Sequence, residues 1–241
     1  MCTLEKRGSL FVLTLTGADE HRLNPTLLDA ISAALRRVKA ETSTPSAIIT
    51  TAQGKFFSNG YDLAWAKSSG PAATYNYRFR LISSKLRSLV TDLVSLPMPT
   101  IAAISGHASA AGFLLALCHD YVLMRKDRGF LYMSELDVGL NIPACSMAVL
   151  RCKIGSPAVR REVALRAAKL TAKEAVDFGV IDSAHDSAEE TVEAAMRLGK
   201  ELVGRKWDGH VYGEIRTVVM SEVLEAIAAE DEGSTATASR L

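Results

Sequence analysis

Three stretches of this sequence carry residue types that do chemistry. The first is Phe56-Phe57-Ser58-Asn59-Gly60-Tyr61-Asp62-Leu63. Two aromatics favour burial there, and Asn-Gly permits a left-handed turn. Alone, such a pair marks a surface turn. The second is Ile104-Ser105-Gly106-His107-Ala108-Ser109-Ala110-Ala111-Gly112-Phe113. Its small side chains let a ligand approach the backbone, and a following helix start offers unpaired N–H groups and a partial positive charge. The bland alternative is a tight strand-to-helix crossover. A P-loop is excluded, because no Lys-Ser/Thr follows the second glycine. A dinucleotide fingerprint would want glycine where this loop has Ala or Ser.

The third stretch, Leu131 to Gly139, holds Glu135 and Asp137. A carboxylate becomes a useful general base when an apolar pocket lifts its pKa toward neutrality, and Phe113, Leu114 and Leu136 are candidates for that surface. The bland alternative is a strand-end carboxylate that caps or meets solvent. On a strand, residues two apart share a face, so Asp137 is a rival to Glu135. Other groups read as structural. In Cys118-His119-Asp120, adjacent residues at a helix end point in different directions, which suits core and helix-end roles better than a triad. His107 reads as structural and Asp62 as a turn-stabilising carboxylate. Arg22, Lys55 and the run Arg125–Arg128 either meet phosphates or solvate a face.

Composition narrows the classes. The formal net charge is +1, which points to neither nucleic acid nor an anionic membrane as partner. The cysteines (Cys2, Cys118, Cys145, Cys152) form no CxxC pair, and no histidine sits at zinc-finger spacing. They read as reduced thiols filling the core, with no metal implied. The first residues lack signal-peptide architecture, and no apolar run approaches the ~20 residues of a membrane span.

The elements that must position these groups follow from periodicity. Residues 8–16 alternate as a strand. Asn24-Pro25 starts a helix, with Leu27, Leu28, Ile31, Leu35 and Val38 at helical spacing. Short strands are expected over 47–51 and 100–104, and a long helix over 73–96, closed by Pro97 and Pro99. A short buried helix is expected over 113–118. Two strands, 121–124 and 130–133, flank a charged turn. After Pro143, helices are expected over 146–153, 156–167, 171–178, 187–203 and 208–229, and Thr171 with Glu174 makes a capping box. The chain thus reads as a β/α first part and a helical second part.

Taken together and in this order, the two small-residue loops resemble the crotonase (enoyl-CoA hydratase/isomerase) superfamily. Its members carry a Phe-Ser-x-Gly-x-Asp-Leu loop and a later Gly-x-Ala-x-Gly/Ala-Gly-Gly turn. The resemblance runs from His21-Arg22-Leu23-Asn24-Pro25 to Gly179-Val180-Ile181-Asp182. It implies an α/β fold: a spiral of ββα units over 1–185, a helical part over 186–231 used for trimer contacts, and a tail over 232–241. It implies an acyl-CoA substrate and no metal or redox cofactor. The backbone N–H groups of Tyr61 and Ala111 would form an oxyanion hole. Ser58, Asn59, Gly60, Asp62, Leu63 and Leu114 would surround the substrate.

Family hydratases divide their work between two glutamates. Here the first position falls on Leu114 and the second on Glu135. One carboxylate suffices to move a proton from the α to the γ carbon, so the pattern looks like that of the Δ3,Δ2-enoyl-CoA isomerases of β-oxidation. A hydratase using Asp137 or another acid, and an acyl-CoA-binding protein without catalysis, are the alternatives. The chain ends Ser239-Arg240-Leu241, which keeps the order of a peroxisomal Ser-Lys-Leu address. An import receptor, a peroxisomal location and a homotrimer or dimer of trimers are the corresponding expectations.

Overall fold

The computed structural model describes residues 1–17, 20–42, 45–68 and 72–238; the proposed targeting residues Ser239, Arg240 and Leu241 lie outside them. The chain opens with an antiparallel pair, β1 (Cys2–Arg7) and β2 (Leu10–Leu15). Helix α1 (Pro25–Glu41) starts as the Asn-Pro pair predicts: the Asn24 side chain accepts the N–H of Leu27. Then come β3 (Ala47–Ala52), β4 (Phe56–Ser58), α2 (Leu63–Lys67) and the long α3 (Ala72–Val94). They are followed by β5 (Thr100–Ile104), β6 (His107–Ser109) and α4 (Ala111–Leu117). Next are β7 (Tyr121–Arg125), β8 (Leu131–Tyr132) and a single-turn α5 (Glu135–Val138).

The three successive units share one plan. The first strand of each (β3, β5, β7) joins a large sheet of order β1-β2-β3-β5-β7-β9, parallel from β2 onward. The second strand (β4, β6, β8) joins a small parallel sheet, and a helix follows. This is the spiral of ββα units expected above. Both faces of the large sheet are covered, so β2 reads as nearly continuous hydrophobic residues. Phe11, Leu13 and Leu15 face the main core, while Leu10 and Val12 face a second one.

The helical part begins with α6 (Ala144–Lys153), α7 (Pro157–Leu165) and α8 (Ala172–Asp177), the last opened by the Thr171/Glu174 capping box. Strand β9 (Ser183–His185) completes the large sheet. Helices α9 (Ala188–Gly204), α10 (Gly209–Val219) and α11 (Ser221–Ala238) close the chain. Helix α9 covers the second core with Ala194, Ala195 and Leu202. Helix α11 folds back on α6 and α3. The buried Arg87 of α3 donates to Glu230 and Asp231, and Glu230 accepts the N–H of Cys145 at the start of α6 (2.9 Å).

The two strands expected around the charged turn of 125–128 are present and lie in different sheets. Arg125 grips Asp127 and donates to the Ser105 carbonyl (3.2 Å), and Gly129, at φ 104°, passes so close to Gly106 that a Cβ would stand 2.8 Å from its carbonyl. The chain therefore turns sharply out of the large sheet into the small one. The helix expected over 208–229 breaks at the buried Met220, which lets α11 turn onto the core. The strand β9 escaped prediction because three residues including a histidine carry no readable alternation.

Candidate active site

The two small-residue loops meet. Gly60 sits at φ 71°, where glycine is favoured, and a Cβ on it would stand 3.0 Å from the Ser109 carbonyl and 3.5 Å from the Ala111 nitrogen. Gly112 packs on Ser58 so tightly that a Cβ would lie 2.4 Å from the Ser58 carbonyl. Ala110 takes φ 48°, ψ −123°, a left-handed conformation that glycine accepts far more readily. These contacts hold the Tyr61 and Ala111 backbones side by side. Among the described residues, no acceptor takes the N–H of either one.

A third segment clamps the first loop. Leu23 donates to the Gly60 carbonyl (2.8 Å) and accepts from the Asp62 N–H (3.0 Å). The Ser58 hydroxyl donates to the His21 carbonyl (2.8 Å), and His21 Nδ1 lies 2.9 Å from the Phe56 carbonyl. Asp62 caps α2 by accepting the Trp65 N–H (2.9 Å) and also accepts from Asn24 Nδ2 (3.2 Å). Ser58 and Asp62 thus support the loop, and Gly60 forms its turn.

A cavity of about 260 Å³ opens beside this seam, lined by Asn59, Tyr61, Leu63, Ala111 and Glu135, with Arg22, Ser109, Ala110, Tyr132, Ser134, Val138 and Leu140 completing the wall. Among the described lining residues, Glu135 is the one carboxylate. Its side chain is buried and its Oε2 has no hydrogen-bond partner. Burial pushes the Glu135 carboxyl above the usual carboxylate range, and its own backbone N–H only partly opposes this.

Glu135 opens the single turn α5, with Gly139 in the left-handed conformation as its C-cap (φ 68°). The stretch was expected to be a strand, which would have put Asp137 on the face of Glu135. In a helical turn, residues two apart diverge, and Asp137 is exposed to solvent. Leu114 is buried but lines a separate space of about 20 Å³ behind the Tyr61 ring, with Arg87, Cys118 and Val149 among its walls. Phe113 is buried in the core and Leu136 is largely exposed. Tyr132, Ser134, Val138 and Leu140 carry no pattern in the sequence that marks them; Ser134, a helix-start residue type four places before Val138 and the following Gly139, is the available signal.

The other reactive-looking groups sit in the scaffold. His119 lies in the core with Nδ1 3.0 Å from the Leu115 carbonyl and Nε2 2.8 Å from the Thr50 hydroxyl. A carbonyl can only accept, so Nδ1 carries the proton and Nε2 accepts from Thr50. Burial pushes this imidazole down to about 4. Asp120 accepts from the buried Arg216 (2.7 Å) and from the Thr100 N–H (2.8 Å). His107 lies between the rings of Phe56 and Phe130. Among the described residues, no group of three His, Cys, Asp or Glu is placed to hold a metal ion, and no helix is long and apolar enough to cross a membrane.

Residues 5–222 match the family model described as Enoyl-CoA hydratase/isomerase. The chain belongs to that family. Within the enoyl-CoA hydratase/isomerase family, it is 60% identical over 225 residues to peroxisomal enoyl-CoA delta isomerase 1 of Arabidopsis thaliana, a match covering 93% of this chain and 91% of that one. It is 50% identical to peroxisomal enoyl-CoA delta isomerase 2 of the same plant, covering 95% and 96%. The fold also matches the crystal structure of a probable enoyl-CoA hydratase from Mycobacterium tuberculosis, with TM-score 0.86, 22% identity and coverage of 98% and 95%.

Proposed function

We propose that this protein is a Δ3,Δ2-enoyl-CoA isomerase that moves a 3-enoyl-CoA double bond into conjugation with the thioester during β-oxidation of unsaturated fatty acids. The observation that carries the reading is the pairing of one buried carboxylate, with one oxygen unpartnered, and two free N–H groups on the same cavity wall. Relatives at 60% and 50% identity bear enoyl-CoA delta isomerase names, which supports it.

The chemistry follows from that pairing. The thioester oxygen accepts from the N–H groups of Tyr61 and Ala111. Glu135 removes a proton from C2, and the electrons spread over the oxygen, C2 and C4 as a dienolate. The same carboxyl then returns the proton to C4, leaving the double bond between C2 and C3. Each oxyanion donor is worth about 2.7–4 kcal/mol in the transition state, and a positioned base about 10²–10⁴-fold in rate. Because backbone supplies both donors, an alanine at position 111 removes neither. Asn59 and Leu63 complete the surroundings, and the coenzyme enters as part of the substrate. The protein acts in the peroxisome, addressed by Ser239-Arg240-Leu241 to an import receptor, in keeping with the names of the two plant relatives described above.

Hydration is the competing chemistry. It asks for a second acid to divide the handling of water and proton, and Asp137, the rival for that role, is exposed. Incubation with 3-hexenoyl-CoA, with ultraviolet detection of the conjugated thioester and mass analysis, decides between them. The expected product has the mass of the substrate. A product heavier by one water, formed from 2-hexenoyl-CoA in a parallel incubation at a comparable rate, would favour the hydratase. Binding without turnover would favour a non-catalytic acyl-CoA binder.

A further inference from the structure

Tyr61 lines the site cavity, and its ring also closes the space of about 20 Å³ where α3, α4, α6 and α11 meet. Along α3, Phe79, Ser83 and Arg87 stand four residues apart and so share one face of the helix. The Tyr61 ring stands edge-on to Phe79 at 5.6 Å, and its hydroxyl donates to the Ser83 hydroxyl at 3.5 Å. Ser83 is itself buried and accepts from Arg87 Nη1 at 3.1 Å, while Glu230 and Asp231 of α11 hold Arg87. We infer that Ser83 is a positioning residue for the reaction: through the Tyr61 hydroxyl it fixes the peptide whose N–H holds the thioester oxygen. The inference rests on the isomerase reading of the site.

The peptide between Gly60 and Tyr61 carries the donor. Its carbonyl accepts from the Leu23 N–H (2.8 Å), which pins one edge. Gly60, at φ 71°, has no side chain to resist rotation of that peptide, so the second restraint comes from the Tyr61 side chain. Holding both the ring and its hydroxyl fixes the direction of the Cα–Cβ bond, and with it the backbone at Tyr61. Burial pushes the Tyr61 phenol above its usual range, so it stays protonated and donates. The Ser83 hydroxyl has two lone pairs and takes both the phenol and the guanidinium. The space behind the ring has room for about one water molecule, so the ring cannot swing into it. A donor of this kind must stay within about 0.5 Å of its productive place, and the anchored ring keeps it there.

Cinnamoyl-CoA provides a test without isomerisation, since it has no γ proton to move. Donors that polarise its thioester oxygen shift its absorption to longer wavelength, so the shift on binding reports the two N–H groups. The wild-type protein is expected to give such a shift. Ser83→Ala and Tyr61→Phe keep both backbone donors. Each should give a smaller shift and a kcat on 3-hexenoyl-CoA lowered by about tenfold, with KM little changed. Ser83→Thr retains the hydroxyl and should keep both the shift and kcat. Alanine suits a helix interior, so Ser83→Ala is expected to fold, and a melting curve verifies this. A full shift with wild-type kcat in Ser83→Ala overturns the inference. So does a lowered melting temperature with the shift intact, which is what a purely structural role would give, and so does an equal loss in Ser83→Thr. A wild-type protein that binds cinnamoyl-CoA with no shift overturns the oxyanion reading itself, and this inference with it.

Discussion

At the scale of single residues, the site depends on a carboxylate kept where it is least comfortable. Glu135 is buried, one of its oxygens lacks a partner, and its carboxyl is held above the usual range. This has opposite consequences for activity and stability. Glu135 works as a base only when ionised, so turnover should fall as pH drops through its raised pKa. Its folded-state pKa exceeds its unfolded value, so the cost of burying the charge is absent below the unfolded pKa. That cost grows with rising pH and is complete above the folded pKa. Glu135→Gln is therefore expected to lower kcat by about 10²–10⁴-fold while raising the melting temperature at pH 7, with the stability gain shrinking in acid. A variant of unchanged activity, or one less stable at every pH, contradicts this role. His119 belongs to the opposite group. It is held neutral by burial with a pKa pushed down to about 4, so its contribution to stability is full above the unfolded value and fades as pH falls toward 4.

At the scale of elements, the seam between the two loops is set by backbone contact rather than by side-chain chemistry. Gly112 admits no Cβ because the Ser58 backbone occupies that space. Gly112→Ala should push the start of α4 away from β4 and separate the two N–H groups. A displacement of an ångström at such a site costs about 10² in rate, so kcat should fall by about that factor in steady-state assays; near-wild-type kcat would show that the seam tolerates the movement. Both loops were legible in the sequence, because small residues next to Asn-Gly and before a helix leave a pattern. The placement of Glu135 was not. A four-residue helix has no periodicity to read, and Ser134 and Gly139 were its available markers. The clamp by His21 and Leu23 was equally hidden, since it is made of backbone carbonyls whose partners lie 37 residues away in the chain for Ser58 and His21.

At the scale of the molecule, the ββα spiral was legible only through family resemblance. Alternation marks strands, yet nothing in it tells β7 and β8 to enter different sheets; Gly129 and the Arg125 contact to Ser105 decide that. The expected trimer or dimer of trimers remains a proposal with a candidate surface. Helix α10 leaves Val211, Ile215, Val218 and Val219 exposed at helical spacing, next to Trp207. Light scattering on the purified protein should give a multiple of the chain mass, and Ile215→Glu should shift it toward the single chain. A wild-type protein that stays monomeric at micromolar concentration would contradict this use of α10.

The central claim is that Glu135 carries a proton from C2 to C4 of one substrate while Tyr61 and Ala111 hold the enolate. Turnover of 3-hexenoyl-CoA deuterated at C2, followed by mass or magnetic-resonance analysis of the product, tests it most directly. A buried carboxyl exchanges its proton slowly with solvent, so the account predicts a measurable fraction of the label at C4 of the 2-enoyl product. Isomerised product with no label at C4, its γ proton drawn wholly from solvent, would contradict a single carboxyl acting as both base and acid.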